Sequence, residues 1–358
     1  MNNTTEQSHP SHPFMRIFTF GEFAIERLIS SPTGPIYPPR YARLPWEEWS
    51  NRRAAMKLLK ILLCAPNRRA SKNELIQSIW PNHAMINALH TLDSATSILR
   101  RHILQTHSEE SLLQTIRGNG DTALKLAAQS SIWIDADAFL TLAACAIRAE
   151  KQGLDPLPLL ESAHALVQGQ FLEDDPHAHW SQRRRNTING ARHRVFYKLV
   201  ELYLRDQRVS EAEELLFSFL EENPTDEDAL CHLMIILAER ERRQEALAMY
   251  AYVTDELGEK KGEPAPYTQE LVRRIRHGLA VRERSIDYIT TPVNATAFSI
   301  QTTLQFLLPA LNTRYIKQYG KRLLCIAVSL ACLNNENSIY PRRKCNAHGY
   351  LQDALRQL

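Results

Sequence analysis

Polar and apolar positions alternate over a short stretch near the start of the chain and then recur at helical spacing along most of its length. Ile17-Phe18-Thr19-Phe20 and Phe23-Ala24-Ile25 flank Gly21-Glu22 and predict a small hairpin. Residues 30–45 hold five prolines, which excludes a helix there. Ser50 is a candidate N-cap for a helix over Arg52–Leu63, with Ala55, Leu58, Leu59 and Leu62 as its apolar stripe. Pro66-Asn67 ends it. Ser71-Lys72-Asn73-Glu74 is a capping-box sequence opening a second helix, whose buried face is Leu75, Ile76, Ile79 and Trp80 and whose stop is Pro81. A third helix fits Met85–Leu104, with Leu89, Leu92, Ala95 or Thr96, Leu99 and Ile103 at the helical period. Two strands, Leu112–Ile116 and Ala123–Leu126, follow around Arg117-Gly118-Asn119-Gly120-Asp121, whose Gly-Asn-Gly centre is a turn signal.

From about residue 136 the pattern is helical with little relief. Glu211-Ala212 returns as Glu245-Ala246, and Tyr203 as Leu237, each 34 positions on. Pro224 closes the first helix pair. A period of 34 with a small residue at the helix crossing and a terminal proline is the tetratricopeptide pattern. The architecture expected is therefore mainly α: a winged helix-turn-helix (small β-sheets plus three helices), then an α-helical repeat domain. The corresponding divisions are a disordered tail over 1–13, a DNA-binding domain over 14–130, a repeat domain over 131–284 and an extension over 285–358 with no assigned fold.

The net charge of +3 is unevenly spread. Residues 1–126 carry 15 Lys and Arg against 10 Asp and Glu, while residues 127–284 carry 20 against 27. A basic head on an acidic middle suits a polyanion at one end only. The six cysteines form no Cys-x-x-Cys pair and no zinc-type cluster, and read as free thiols in a reducing compartment. The first 13 residues lack a signal-peptide core, and the longest apolar run, Leu323–Leu333, is too short to span a bilayer. A cytoplasmic, nucleoid-associated protein is expected, with no membrane partner.

The third helix carries the candidate chemistry. Opposite its apolar stripe stand His90, Thr91, Ser94, Ser97, Arg100 and Arg101, with Asp93 its one acid. Small hydroxyls permit close approach to a groove floor, and arginines take guanine edges or phosphates. Arg52, Arg53 and Lys72 lie near the N-termini of the first two helices, where backbone amides also favour phosphate. Arg117 and Asn119 sit at the hairpin tip.

Thr91-Leu92-Asp93 leading to Leu99-Arg100-Arg101, then Thr115 through Gly120, resembles the end of an OmpR-type winged helix. Arg52–Lys60 and Glu74-Leu75…Trp80-Pro81 resemble the same domain in the Streptomyces antibiotic regulatory (SARP-like) activators. Asp135–Phe139, Gly169–Asp174, Trp180…Arg184 and Glu256-Leu257-Gly258…Pro264 resemble that family's bacterial transcriptional activation domain. The resemblance spans about residues 16–280. It implies binding to double-stranded DNA at direct repeats, possible homodimerisation there, contact with RNA polymerase, and activation of transcription. Asp121 departs from the family pattern, standing where an aromatic residue usually anchors the wing. No phosphate-binding Gly-x-x-x-x-Gly-Lys-Ser/Thr occurs, and no receiver-type phospho-aspartate control is expected.

Other chemistry is sparse. His177 and His179 lie among acids, but loop histidines are commonly plain surface residues, so no metal or cofactor is expected. Glu173, Asp174 and Asp175 read as a solvated loop, and Arg183-Arg184-Arg185 as a solvated basic face. No nucleophile elbow, zinc-protease helix or dinucleotide fingerprint appears, so no enzyme is expected. The alternative to a DNA-binding activator is a helical-repeat scaffold whose winged helix does not bind DNA.

Overall fold

The computed structural model describes residues 12–30, 39–82, 84–105, 111–118, 121–257 and 264–281. Of the expected tail, residues 1–11 fall outside these, as does the whole extension from 285 onward. The chain divides into two compact units, the first containing residues up to Arg192 and the second beginning at His193.

The first unit opens with a four-stranded sheet. β1 (Met15–Phe18) pairs antiparallel with β2 (Ala24–Ser30), with Ile17 opposite Ile25. This is the expected hairpin, lengthened along its second strand. β3 (Arg40–Arg43), from the proline-rich stretch, adds an antiparallel edge, and β7 (Ile132–Ile134) adds a parallel one, giving the order β3-β2-β1-β7. Phe20 lies outside β1 and bridges instead to Phe171. The Gly21 turn has φ +68, and a Cβ there would sit 2.8 Å from the Gln168 carbonyl oxygen, so only glycine fits.

After a single-turn helix α1 (Trp46–Trp49) come α2 (Arg53–Cys64), strand β4 (Arg69–Ser71) and α3 (Lys72–Ile79). α2 buries Ala55, Leu58, Leu59 and Leu62, the stripe read from its spacing. α3 carries the full capping box: the Glu74 amide donates to Ser71 Oγ, and the Ser71 amide donates to Glu74 Oε2. Next is α4 (Met85–Ile98), then hairpin β5 (Leu113–Gly118) and β6 (Asp121–Leu126), which with β4 forms a second sheet of order β4-β6-β5. The helix expected over Met85–Leu104 is therefore not uniform. Residues Leu99–Ile103 form a wider turn in which the Leu104 amide reaches back five residues to Leu99 O, at 2.7 Å.

α5 (Asp135–Lys151), α6 (Leu157–Leu166) and the first half of α7 (His179–Arg205) complete the unit. Two acids in the first turn of α5 organise its attachment. Asp135 is fully buried and accepts from the Thr19 amide (2.7 Å), the Thr19 hydroxyl (2.6 Å), the Phe20 amide (3.0 Å) and the Ala136 amide (2.7 Å). Asp137 bridges two guanidinium groups, those of Arg68 and Arg184. Arg68, with φ 56, also donates to the carbonyls of Ala127 (2.9 Å) and Ile132 (3.0 Å), bonds that hold a backbone conformation unfavourable for a non-glycine residue.

The second unit contains the rest of α7, then α8 (Val209–Glu222), α9 (Glu227–Glu239), α10 (Arg243–Leu257) and α11 (Pro266–Arg276). The repeat seen in the sequence is visible in the backbone. Gln207 and Glu241, 34 positions apart, both adopt positive φ (58 and 62) in the turns before α8 and α10. The Arg208 amide bonds Tyr203 O at 2.7 Å, and the Arg242 amide bonds Leu237 O at 2.8 Å. Arg208 pairs with Glu211 and Arg242 with Glu245, while Ala212 and Ala246 are fully buried at the crossings.

Replacing Asp135 by Asn leaves a single acceptor oxygen and turns an amide NH2 toward buried donors. It should destabilise the protein by about 2–3 kcal/mol in urea unfolding. Burial pushes the Asp135 carboxyl up to about 6 from 3.8. A folded value above the unfolded one means its contribution is full below pH ~4 and declines as pH rises through ~6. The stability gap between wild type and Asp135→Asn should therefore be widest near pH 4 and shrink toward neutrality.

Candidate nucleic-acid interface

α4 buries Ala88, Leu92, Ala95 and Thr96, continued by Leu99 and Ile103. The face opposite is open: His90, Thr91, Ser94 and Arg101 are exposed, and Ser97 is half-buried. Arg101, His90, Ser94 and Ser97 follow one stripe at spacings of three and four residues. Its first member was not singled out in the sequence. Ile86 lies four residues before His90 and is 71% exposed, with Met85 beside it at 50%. The signal lay in the spacing, since Ile86 precedes His90 by four residues on the same helical face.

Asp93, the one acid on this helix, is held by Lys72 Nζ at 2.6 Å. Lys72 starts α3, so a cation from the second helix neutralises the acid of the third. Two amides at the start of α3, those of Ser71 and Glu74, are already used by the capping box. At α2 the N-terminus has no side-chain cap, and Arg53 there is exposed while Arg52 is half-buried.

Arg100 differs from the other expected readers. Its Nε donates to Leu113 O at 3.1 Å and its Nη2 to Thr115 Oγ1 at 2.6 Å, so the guanidinium ties the helix end to the first wing strand. No local pattern announces this contact, because its partners lie 13 and 15 residues further along the chain. A groove of about 330 Å³ runs here, with Lys72, Ser97, Arg100, Arg101 and Thr115 among its walls. Arg27 of β2, also unanticipated, donates to the His102 (2.9 Å) and Ile103 (3.2 Å) carbonyls at the end of the helix, where a cation is favoured. Arg117 is exposed on β5, whose last pair with β6 is Gly118 opposite Asp121. Asn119 lies outside the described residues. Asp121 is exposed, and its carboxylate accepts from the Thr122 amide at 2.8 Å.

Two expectations are corrected. The Arg183–Arg185 run is not a solvated face: Arg184 binds Asp137, and Arg185 donates to the Phe171 (2.6 Å) and Asp175 (3.1 Å) carbonyls, leaving only Arg183 exposed. The acidic loop is not simply solvated either. Asp175 and Asp174 lie 2.6 and 3.6 Å from Nζ of Lys60, a buried lysine on α2 that also sits over the Phe23 ring. Both runs hold helices together because tertiary packing brings opposite charges onto them. Among the described residues no group of three or more His, Cys, Asp or Glu is arranged to hold a metal ion, and no helix is long and apolar enough to cross a membrane.

A helix with one open, cationic face, backed by two helices and followed by a hairpin, and then helical repeats, defines a DNA-binding regulator of two-domain type. The family model for the C-terminal domain of transcriptional regulatory proteins matches residues 47–120, and that for the bacterial transcriptional activator domain matches residues 134–276. Both families are transcriptional regulators. Together the two matched segments support a SARP-like transcriptional activator, an OmpR-type winged helix followed by a bacterial transcriptional activator domain. Among solved structures it is similar to Mycobacterium tuberculosis EmbR in complex with a low affinity phosphopeptide, with a TM-score of 0.52 and 16% identity over 74% of this chain. It spans 66% of that chain, and the likeness is one of fold. No curated protein matches the sequence.

Asp93→Asn removes the one negative charge of α4 and frees Lys72. Asp93 is exposed and Lys72 only half-buried, so stability should change by less than ~1 kcal/mol. Affinity for duplex DNA, read by band retardation, should rise.

Proposed function

We propose that this chain is a sequence-specific DNA-binding activator that recognises repeated promoter elements. α4 enters the major groove, placing His90, Thr91, Ser94, Ser97 and Arg101 at base edges. Ile86, at the exposed start of the same stripe, meets thymine methyl groups. Arg52, Arg53 and Lys72 approach phosphates. Arg100 holds the wing against the helix, and Arg117 and Asn119 bring the wing to backbone or minor groove. The observation that carries this reading is the open stripe from Ile86 to Arg101, free of uncompensated negative charge.

The functional modules correspond to residues 14–130 for DNA binding and 131–284 for activation. The helical repeats offer a surface for RNA polymerase, and two copies sit side by side on direct repeats as a homodimer. The cytoplasm, at the nucleoid, is where such a protein acts. The scaffold alternative draws nothing from the structure: a winged helix used only for protein contact has no need of a slim hydroxyl-lined stripe flanked by arginines.

The test is binding to promoter fragments selected from the host genome with purified protein. Arg101→Ala should cost about 1–3 kcal/mol and relax preference at one position. Lys72→Ala should weaken all sequences alike and reduce the salt slope by about 1. The Arg100→Ala, Arg101→Ala double variant should lose the retarded band. A double variant that binds as wild type does would exclude α4 as the reader and restore the scaffold reading.

A further inference from the structure

A cleft of about 870 Å³ lies behind the winged helix, between the end of α2, strand β6, and helices α5 and α7. That volume is in the range of cavities that hold small organic molecules, about 300–1,000 Å³. Its apolar walls include Leu63, Pro66, Leu126 and Leu140. Its charged lining is lopsided: Arg68, Lys125, Arg183 and Arg184 against the single acid Asp137. Both oxygens of Asp137 are already taken by Arg68 and Arg184. Arg68 is further satisfied by Ala127 O, Ile132 O and Gln129. The other cations are not. Among the described residues neither Lys125 nor Arg183 has a side-chain hydrogen bond or ion pair, and Nε of Arg184 is buried without a partner. The lining thus holds two uncommitted positive charges and one unused buried donor beside a greasy wall. Uncompensated charge of one sign in a concave, partly apolar site raises the local concentration of counter-ions of matching shape.

We propose that this cleft binds a small amphipathic organic anion, a carboxylate, sulfonate or phosphate on an apolar body. The anionic head meets Lys125, Arg183 and Arg184, and the body lies along Leu63 and Leu126. Lys125 belongs to the second wing strand, whereas Arg183 and Arg184 belong to α7. One ligand therefore joins the wing to the helix that follows the acidic loop, which makes the site an effector site for the regulator. The proposal stands apart from DNA reading by α4, since no residue of α4 lines the cleft.

The test uses the full chain and 8-anilinonaphthalene-1-sulfonate, an apolar body with one sulfonate, with its uncharged analogue N-phenyl-1-naphthylamine as the control. Saturable one-site fluorescence enhancement is expected with the sulfonate and at least tenfold weaker binding with the analogue. The Lys125→Ala, Arg183→Ala variant should bind the sulfonate at least tenfold more weakly at an unchanged melting temperature, since neither side chain has a partner to lose. The charge-keeping Lys125→Arg, Arg183→Lys variant should bind as wild type does. Equal binding of the two probes, or undiminished sulfonate binding by the alanine variant, would overturn the assignment. Displacement of the sulfonate by non-specific duplex DNA would overturn it too, by making the cleft part of the nucleic-acid surface.

Discussion

The first turn of α5 is the joint on which the first unit depends. Two carboxylates two residues apart, at the positive end of a helix, reach different elements. Asp135 collects the backbone amides that end β1, and Asp137 collects the guanidinium groups of Arg68 and Arg184. The parallel pairing of β1 with β7 leads directly into this turn. The DNA-binding helices are thus fixed to the start of the activator region by buried, hydrogen-bonded charge as well as by apolar packing. Removing one partner of such a pair leaves a buried ion exposed to no solvent, which is far costlier than the loss of a surface pair.

That joint explains why charge along this chain is a poor guide to function when read locally. Lys60, Arg68, Arg184 and Arg185 are all cations of the first unit, yet each is spent on a carboxylate or a carbonyl inside it. Other cations of the described residues stay exposed, among them Arg53 at an uncapped helix start, Arg101 after α4 and Arg117 on β5. Arg100 stands between the groups, exposed in part but bonded to β5. Its guanidinium ties the end of the third helix to that strand.

The second unit shows the opposite relation between sequence and structure. Its repeat was legible because each helix pair needs the same local solution: a left-handed residue to reverse the chain, an arginine-glutamate pair three residues apart after it, and an alanine where the helices touch. Aromatic packing then varies. Phe196 stacks on Phe219 at 3.8 Å, and the Tyr197 hydroxyl donates to Asp226, which also caps α9. Burial and the acceptance of that hydrogen bond by Asp226 hold the tyrosine hydroxyl well above its ordinary range, so it stays a donor at any physiological pH.

What the sequence determined by itself was everything governed by short-range physics. Helical periodicity placed α2, α3 and the body of α4, the capping box fixed where α3 starts, and the glycine-rich turn fixed the wing hairpin. Spacing alone also set out the open stripe from His90 to Arg101, while the exposure of Ile86 at its start came from the structure. What only the tertiary structure decided was the fate of each charge, the pairing of β1 with β7 across more than a hundred residues, and the widening of the helix at Leu99. These rest on contacts between segments distant in the chain. Hydrophobic period constrains a residue against its neighbours one turn away, but an ion pair depends on which partner the packed core brings within reach, and no local pattern encodes that distance.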